Sequence, residues 1–433
     1  MEPHKNSELQ HRGLTEFKKD TLSDHVSNFS FPRLAGSEGE KKAVKLTIDT
    51  FKEIGFNDSQ IIRRDFEFSD FYSTTLIILL MSLNLIFNLI LVLFAYIQPL
   101  LSLIFTIFMV VVVLLIIKGL KHPEKPGFWG EYFGETLSAT NIFTKIPAKL
   151  LPEKVAGNII ISAHLDSKSQ TYKTFWRIVF YKVWIFGGIS LGFFYGLFLF
   201  MIFANMPFDY RITISGVWTT IILVSMTNIF LMFLSTHNKS PGALDNASGM
   251  AIVFELSTHF LNHPLDNFNL WFCQFSAEEL GTMGSRIFVN DHENVFEKGR
   301  VFTINNDMVS CFCHKKNRIE YFKSYGAIIR KLNAPLLSKY LEIAAREEKL
   351  QIKGFHLSTG AHTDTVPFHL RGWDAIDITT KAAARYTHTI HDTPDKVDPQ
   401  ILKETCQIIN KALNLIDQDY EKLCNNNELN CDV

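Results

Sequence analysis

Two short motifs carry the first candidate chemistry in this chain. SAHLDS places His164 and Asp166 at the end of an apolar run, and GALDNASG carries Asp245. Residues two apart on a strand project from the same face, so His164 and Asp166 can act together. A histidine beside a carboxylate is typical of metal sites, where the acid holds the imidazole in one tautomer. Each motif also has a plainer interpretation, as a hydrogen-bonded structural pair and as a helix N-cap, respectively.

Acidic and histidine side chains follow other predicted strands as well. FSAEELG places Glu278 and Glu279 directly after residues 269–275, TINNDMVS carries Asp307, and RYTHTIHDT carries His388. In an open α/β sheet, the loops at the carboxyl ends of the strands converge on the active site. Adjacent glutamates are more often a solvated surface pair. After a buried strand, however, one can bind a metal while its neighbour reaches the attacking water.

The elements that must position these motifs alternate between strands and helices. The apolar run 158–163 fits a strand that is buried on both faces. Such alternation predicts an α/β fold with a mostly parallel mixed sheet flanked by helices. Residues 1 to about 22 are polar, and we expect them to be loosely ordered. The predicted strands are 61–68, 137–144, 158–163, 269–275, 301–305 and 373–379, and the predicted helices are 40–54, 249–260 and 399–420.

Long apolar runs interrupt this pattern, in a chain that is 47% hydrophobic with 38 Phe. A helix of about 20 residues crosses about 30 Å of hydrocarbon, which is the length of each run. Buried core helices are the alternative, but charge-free segments of this length are rare in soluble domains. We therefore predict four transmembrane helices in two hairpins, 73–118 and 177–236. The charge-free runs are 71–117, divided at Gln98-Pro99, and then 183–208 and 212–236.

Each hairpin leaves and returns on one side, so residues 1–72, 119–176 and 237–433 are predicted to form one domain in one compartment. Basic residues flank the helices on that side, whereas the opposite turns offer only Arg211, which predicts a cytoplasmic domain. The absence of a C-x-x-C pair among the six cysteines agrees with this side. A net charge of −1 argues against nucleic acid. N-x-S/T sequons, such as those at Asn28, Asn57 and Asn238, would matter in a secretory lumen.

In this order, the motifs H-x-D, D-N-x-S-G, E-E, D and H-T-x-x-D-T resemble metallopeptidase family 28, the cocatalytic dizinc aminopeptidases. The resemblance covers essentially the whole water-exposed part, and it implies a zinc aminopeptidase-like fold of the phosphorylase/hydrolase type. In AHTDTVPFHLRGWDAI, Asp364 matches the usual S-D pair, although Thr363 replaces the serine. The other matching segments are FPRLAGSEGEKKA, ATNIFTK, GNIIISAHLDS, GALDNASG, FSAEELG, NNDMVS and THTIHDT.

The resemblance also implies a role for each motif residue. One zinc ion would be bound by His164 and Asp307, and a second by Glu279 and His388. Asp245 would bridge the two ions, and manganese or cobalt in place of zinc stays open. Glu278 would be the general base that moves a proton from the attacking water to the leaving amine. Asp166 would orient His164 without binding metal.

Three further features of the sequence are not part of the family motifs. We expect His391, where the family more often has an acidic or small polar residue, to lie at the pocket rim. CFCH at 311–314 could suggest a third metal, but packing or loop thiols fit better. A small-residue stripe permits close helix packing, with packing inside the chain as the default and a homodimer as the alternative. This stripe is Gly188, Gly192 and Gly196.

The leading functional hypothesis is a membrane-anchored zinc aminopeptidase. Alternatives are a carboxypeptidase or glutaminyl cyclase-like enzyme of the same fold, and a receptor or scaffold that uses the peptidase fold only for binding. A transporter fits poorly, because the apolar runs lack the ionisable residues of a substrate path. Since the second hairpin begins shortly after Asp166, we expect the cleft to face the bilayer and to take membrane-proximal peptides.

Overall fold

The computed structural model describes residues 17–119, 122–125, 127–206, 211–312, 319–326, 329–357, 362–426 and 428–430. The strands are β1 (Ile61–Ser69), β2 (Thr136–Ile146), β3 (Gly157–His164), β4 (Ser169–Gln170), β5 (Thr236–His237), β6 (Phe268–Phe275), β7 (Val301–Asn306), β8 (Ile319–Tyr325), β9 (Lys331–Leu332), β10 (Ile352–Leu357) and β11 (Asp374–Thr379). The helices are α1 (Lys19–Phe29), α2 (Glu38–Ile54), α3 (Thr74–Phe94), α4 (Pro99–Gly119), α5 (Gly127–Phe133), α6 (Thr174–Phe203), α7 (Arg211–Met232), α8 (Ser248–Asn262), α9 (Met283–His292), α10 (Pro335–Glu347), α11 (Thr365–Leu370), α12 (Pro399–Gln418) and α13 (Tyr420–Asn425).

A single large sheet forms the centre of the peptidase-like part. Its strand order is β1-β2-β6-β3-β7-β11-β8-β10, with β9 paired to β8. The four central strands β6, β3, β7 and β11 run parallel, and antiparallel pairs extend the sheet on both sides. The predicted α/β fold is therefore confirmed. Every strand and helix predicted outside the apolar runs is present, with ends that differ by at most two residues.

Strand β3 shows why the sheet is buried on both faces. Ile159 and Ile161 pack in a core with α8 and α12, whereas Ile160 packs in a second core with α9. Successive side chains of a strand point to opposite faces, so one continuous apolar run serves both cores. Helices therefore cover the sheet on both sides, as the alternation of elements predicted.

The N-terminal region is more ordered than its polarity predicted. Residues 1–16 lie outside the described part of the chain, but α1 begins at Lys19, within the segment expected to be loose. Leu22, Val26 and Phe29 are buried on one face of α1, and the ring of Phe29 stacks 5.4 Å from that of Phe254. This face has helical spacing, but it is short and lies among charged residues, so the sequence pattern was weak.

Among the described residues, four helices are long and apolar enough to cross a membrane by length and composition: Thr74–Phe94, Pro99–Ile116, Thr174–Phe203 and Arg211–Met232. Helix α6 has 30 residues and begins earlier than the charge-free run at 183. Its first turns carry Arg177 and Lys182, so these turns do not belong to the charge-free run. Those turns connect the apolar part of the helix to the sheet domain.

Polar side chains join the four apolar helices. The Nδ2 of Asn228 on α7 donates to Oδ1 of Asn84 on α3 at 2.6 Å. The hydroxyls of Ser102 on α4 and Tyr195 on α6 lie 2.7 Å apart. Interhelical hydrogen bonds of this kind stabilise helix association in lipid.

The glycines of α6 do not pack as the sequence suggested. A Cβ on Gly188, Gly192 or Gly196 would have no heavy atom within 4 Å, so the described part of the chain does not cover this stripe. The glycine that packs closely is Gly187, where a Cβ would lie 2.7 Å from Val224 on α7. The expectation that the stripe packs inside the chain was therefore wrong, because the stripe faces away from α7.

Both apolar hairpins are closed by hydrogen bonds at the points where they leave the sheet domain. In the first, the amide of Asp70 donates to the carbonyl of Glu135 at 3.0 Å, and the amide of Glu135 donates to the Asp70 carboxylate at 2.8 Å. In the second, β4 and β5 pair antiparallel. Each hairpin therefore extends from a closed neck.

Arg33, from the FPRLAGS segment, closes the neck of the second hairpin further. Its side chain is fully buried. The guanidinium donates to the carbonyls of Leu165 at 2.6 Å, Pro241 at 2.6 Å and Gly242 at 2.9 Å. Leu165 precedes the hairpin and the other two follow it, so one side chain holds both ends.

Candidate active site

The sequence-predicted site residues come together at one edge of the sheet. His164 ends β3, Glu278 and Glu279 follow β6, and Asp307 follows β7. Because these three strands are parallel neighbours, their carboxyl ends lie side by side. Asp245 reaches the same edge from the turn before α8, and its peptide bond to Asn246 is cis.

One group of candidate metal ligands consists of His164, Asp245 and Asp307, all buried. The Nε2 atom of His164 lies 3.1 Å from Oδ1 of Asp245 and 3.5 Å from Oδ1 of Asp307. The ligand atoms of the group lie within 4.8 Å of one another. This spacing is compact enough for a single cation.

A second group consists of Asp245, Glu279 and His388. The Nε2 atom of His388 lies 3.1 Å from Oδ2 of Asp245 and 3.1 Å from Oε2 of Glu279. Asp245 thus offers Oδ1 to the first group and Oδ2 to the second. A carboxylate placed in this way can bridge two cations.

The hydrogen bonding of these groups fits metal ions. His164 Nε2, Glu279 Oε1 and Asp307 Oδ1 are buried and make no hydrogen bond within the described part of the chain. Buried polar atoms normally have a partner, and three without one at a single site need a reason. Imidazole and carboxylate together are ligands that suit zinc. The residues present therefore fit two divalent ions.

Asp166 belongs to neither group. Its carboxylate accepts hydrogen bonds from the amides of Glu278 at 3.1 Å and Glu279 at 3.2 Å. Its own carbonyl lies 3.1 Å from Nδ1 of His164, and its carboxylate lies 3.6 Å from the same atom. Asp166 therefore orients the turn with the two glutamates as well as the histidine.

The two adjacent glutamates have opposite pKa shifts. Burial raises the pKa of Glu278 well above its usual value, and the nearby carboxylates of Glu279 and Asp307 raise it further. Burial also opposes ionisation of Glu279, but His388 and Lys168 outweigh it and lower its pKa to about 2. Carboxyl groups whose surroundings push their pKa values apart are typical of divided roles in catalysis.

Asp392 is a site residue to which the sequence reasoning assigned no role. Its carboxylate accepts from the amides of Leu244 at 2.6 Å and Asp245 at 3.1 Å, so it holds the turn that carries the shared ligand. Burial, followed by the charge of Asp245, raises the pKa of Asp392 to about 7. The signal was present in THTIHDT, where this residue follows His388 by four positions.

His391 is not among the residues that line the cleft, and its expected position at the rim stays a prediction. Its side chain is exposed, because its neighbour Asp392 takes the inward direction. The suggested cluster at 311–314 lies partly outside the described residues, at Cys313 and His314. Cys311 is disulfide-bonded, which removes its thiolate as a ligand. Asp364 is buried beside the site but belongs to neither ligand group.

A cleft of about 400 Å³ opens onto the candidate ligands. We call its carboxylate and histidine side the ligand wall, formed by Asp245, Glu278, Glu279, Asp307 and His388. The ends of the apolar helices and their necks form a second side, which we call the helix wall. The helix wall consists of Tyr72, Ser73, Thr74, Ile77, Thr174, Arg177, Tyr181, Leu234 and Thr236.

Two cations contact the ligand wall. The Nζ of Lys168 lies 2.8 Å from Oε2 of Glu279, and it donates to the Glu279 carbonyl at 2.9 Å. The Nη2 of Arg177 on α6 lies 2.7 Å from Nδ1 of His388. Both contacts are to members of the second ligand group. A residue from an apolar helix therefore touches a candidate metal ligand.

Comparison with known proteins supports the family suggested by the motifs. Residues 230–413 match the model of peptidase family M28. Part of this chain is thus similar to that family. The aminopeptidase YwaD of Bacillus subtilis is 27% identical over 194 residues, which are 42% of this chain and 40% of that protein. The match therefore spans less than half the length of the relative.

Solved structures share the fold over nearly the whole chain. An aminopeptidase from Aneurinibacillus sp. strain AM-1 gives a TM-score of 0.53 at 14% identity, covering 92% of this chain and 93% of its own. A zinc aminopeptidase from Bacillus subtilis gives 0.52 at 14% identity, covering 92% and 95%. A glutaminyl cyclase from an Acidobacteriales bacterium gives 0.53 at 14% identity, covering 96% and 99%. Such similarity establishes the zinc aminopeptidase-like fold.

Proposed function

We propose that this chain is a membrane-anchored metallopeptidase of family 28, an aminopeptidase that uses two zinc ions. The observation that carries the proposal is the carboxylate of Asp245, whose two oxygens each lie 3.1 Å from the Nε2 atom of a different histidine. The family match at 230–413 and the zinc aminopeptidase-like fold support it. His164 and Asp307 would hold one ion, and Glu279 and His388 the other.

The residues divide the reaction among them. When bound, zinc polarises the scissile carbonyl and makes a water molecule acidic enough to attack near neutral pH. Glu278 lines the cleft and takes a proton from the attacking water, then gives it to the leaving amine. Asp166 holds the backbone of this glutamate through the 3.1 Å bond to its amide, which limits the directions its carboxylate can take.

The apolar helices would anchor the enzyme in the bilayer. In this proposal, residues 73–118 and 177–236 are transmembrane hairpins, and 1–72, 119–176 and 237–433 form one peptidase domain. The presence of helix-end residues in the lining of the cleft supports a position near the headgroups. Peptides close to the membrane are then the natural substrates.

Two features indicate opposite sides of the membrane for the peptidase domain. The flanking basic residues predict the cytoplasm. Cys311 and Cys424 each take part in a disulfide bond, which is typical of oxidising compartments. A membrane-impermeant maleimide, applied to intact cells after mild reduction, distinguishes the two. Labelling from outside would contradict the cytoplasmic prediction, and labelling only after lysis would support it.

A homodimer through α6 is part of the proposal. Gly188, Gly192 and Gly196 have open space around them, and small residues at this spacing let two helix backbones approach closely. Crosslinking in nanodiscs, compared with a Gly192→Leu variant, measures this. A monomer under all conditions would contradict it.

Other activities of the same fold are the second candidates. Glutaminyl cyclases are among the structures that share the fold, so transfer to the substrate's own amine must be tested. Product analysis with amino-blocked and carboxyl-blocked peptides separates an aminopeptidase, a carboxypeptidase and a cyclase. A receptor or scaffold agrees less well with a site in which both ligand groups are complete.

The decisive experiment combines metal analysis of the purified protein with an aminopeptidase assay on a small peptide panel. We expect close to two equivalents of zinc per chain and release of N-terminal residues. Zinc below one equivalent, together with intact peptides, would favour the scaffold.

A further inference from the structure

The cleft is lined by acidic residues of the proposed ligand and base set and by two cationic residues outside that set. All carboxylates in the described lining belong to the proposed ligand and base set, which is Asp245, Glu278, Glu279 and Asp307. No further acid in that lining remains to pair with a substrate cation. Lys168 and Arg177, in contrast, belong to no ligand group. The lining therefore offers two cationic groups beyond the reaction machinery.

Both cations lie beside the second ligand group. Glu279 contacts Lys168 Nζ at 2.8 Å, and His388 contacts Arg177 Nη2 at 2.7 Å. Glu279 and His388 themselves are 3.1 Å apart. Arg177 also donates to Thr174 at 3.1 Å, but its Nε is buried and makes no hydrogen bond within the described residues. The guanidinium thus has one buried donor without a partner among the described residues.

The contact between Arg177 and His388 competes with metal binding. A guanidinium is always a donor, so Nδ1 of His388 must accept and its proton must sit on Nε2. To bind a metal through Nε2, a neutral imidazole must carry its proton on Nδ1 instead. An Nδ1–H cannot accept from Arg177. If an ion were bound through Nε2 of His388, Arg177 would lose this acceptor and would need another one at the cleft.

Lys168, like Arg177, depends on a candidate metal ligand for its main contact. Its ammonium is 13% exposed and is compensated chiefly by Glu279. If the carboxylate of Glu279 shared its charge with a metal ion, the charge of Lys168 would be less well compensated. A buried cation is costly without a partner, so both groups favour an incoming anion.

We propose that Lys168 and Arg177 form a carboxylate-binding subsite that selects peptides with an acidic group next to the scissile bond. The inference rests on the proposed peptidase function and names its substrate class. The carboxylate can come from an Asp or Glu side chain at the N-terminus, or from the free C-terminus of a dipeptide. An ammonium and a guanidinium together suit this group, since guanidinium pairs with carboxylate through two parallel donors.

The test uses the full chain in nanodiscs, loaded with zinc, and two pairs of substrates matched in shape. Glutamyl and glutaminyl p-nitroanilides differ only in a side-chain carboxylate, and Leu-Gly and Leu-Gly amide differ only in a terminal one. We expect a kcat/KM ratio of about 10 to 100 in favour of the acidic member of one pair, the range expected for a hydrogen bond to a charged group. The pair that shows the ratio identifies the source of the carboxylate.

Variants assign this preference to the two cations. Arg177→Met and Lys168→Met should each move the acidic-to-neutral ratio toward one, mainly through KM, and Arg177→Lys should keep part of it. Lys182→Met is the matched control, because Lys182 lies on the same helix, is exposed and does not line the cleft. It should leave the ratio unchanged.

A readout besides activity follows from the competition at His388. Chelator titration should show tighter binding of the second zinc ion by Arg177→Met than by the parent protein. If no substrate is hydrolysed, the proposed function fails. If peptides are hydrolysed with acidic-to-neutral ratios near one, or with ratios that the variants do not change, only the subsite fails. Inhibition by phosphatidylserine vesicles that Arg177→Met relieves, with ratios near one, would overturn the subsite in favour of a lipid headgroup.

Discussion

The two walls of the cleft are built in different ways. The ligand wall comes largely from turns at the ends of buried parallel strands. The backbone of these turns donates hydrogen bonds to carboxylates behind them, such as those of Asp166 and Asp392. The helix wall comes from the ends and necks of the long apolar helices, and its one cation is Arg177. This difference suggests separate roles: the ligand wall would carry the reacting groups, and the helix wall would select the substrate. A rigid sheet edge suits a constellation of metal ligands.

The necks of the hairpins explain how the two walls stay together. Asp70 and Glu135 close the first hairpin, while Arg33 and the β4–β5 pair close the second. The second neck lies directly beside the ligand wall, since Leu165 stands between His164 and Asp166. The second hairpin should therefore influence catalysis more than the first.

The largest expected effect is on the residue shared by both ligand groups. Asp245→Ala should lose both zinc ions and all hydrolysis, because it removes the oxygens that face both histidines. Zinc content and activity are measured on the same preparation. Asp65→Ala, at a partly exposed position on β1, is the control and should keep both. Two equivalents of zinc in the Asp245 variant would break the bridge assignment.

The next effect separates the base from the ligands within the ligand wall. Glu278→Gln should keep zinc but lower kcat by about 100-fold to 10,000-fold, the usual contribution of a general base. Glu279→Gln should lose zinc from the second group. Unchanged peptide hydrolysis by Glu278→Gln would exclude the base role, and equal zinc loss in both variants would remove the distinction between the glutamates.

A smaller effect is expected behind the ligand wall. Asp392→Asn replaces one of two carboxylate oxygens that accept from the Leu244 and Asp245 amides. Changes in groups that orient metal ligands typically lower metal affinity by about 10-fold to 100-fold. Chelator competition measures the affinity. The adjacent exposed position serves as the control, since His391→Asn should leave the affinity as it is.

The smallest effect is expected where the two walls are joined. Arg33→Met should lower the free energy of unfolding by about 2 kcal/mol, because several buried carbonyls lose their donor. Thermal unfolding in detergent measures this. Arg63→Met, at a position 57% exposed, should change the unfolding free energy by less than about 0.5 kcal/mol. Equal values for the two variants would show that the second neck does not depend on Arg33.

Much of the fold could be predicted from the sequence because its signals are local. Strand β3 is a continuous apolar run, and α2 ends at Gly55, which has a φ of 118°. The strands β8 and β10 at the far edge were missed, since they carry mixed polar residues and only partial burial. Helix α9 was missed as well, although it begins at Met283, shortly after the motif FSAEELG.

The sequence by itself determined the residue types of the site, their order along the chain and the apolar runs, because these depend on side-chain chemistry and local spacing. Only the tertiary structure decided which oxygen of Asp245 faces which histidine, that Asp392 holds the turn before α8, and that Arg33 closes the second neck. It also brought Arg177 to a residue 211 positions away. Such contacts depend on how strands pair and hairpins pack, and neither is encoded in the spacing of any one segment.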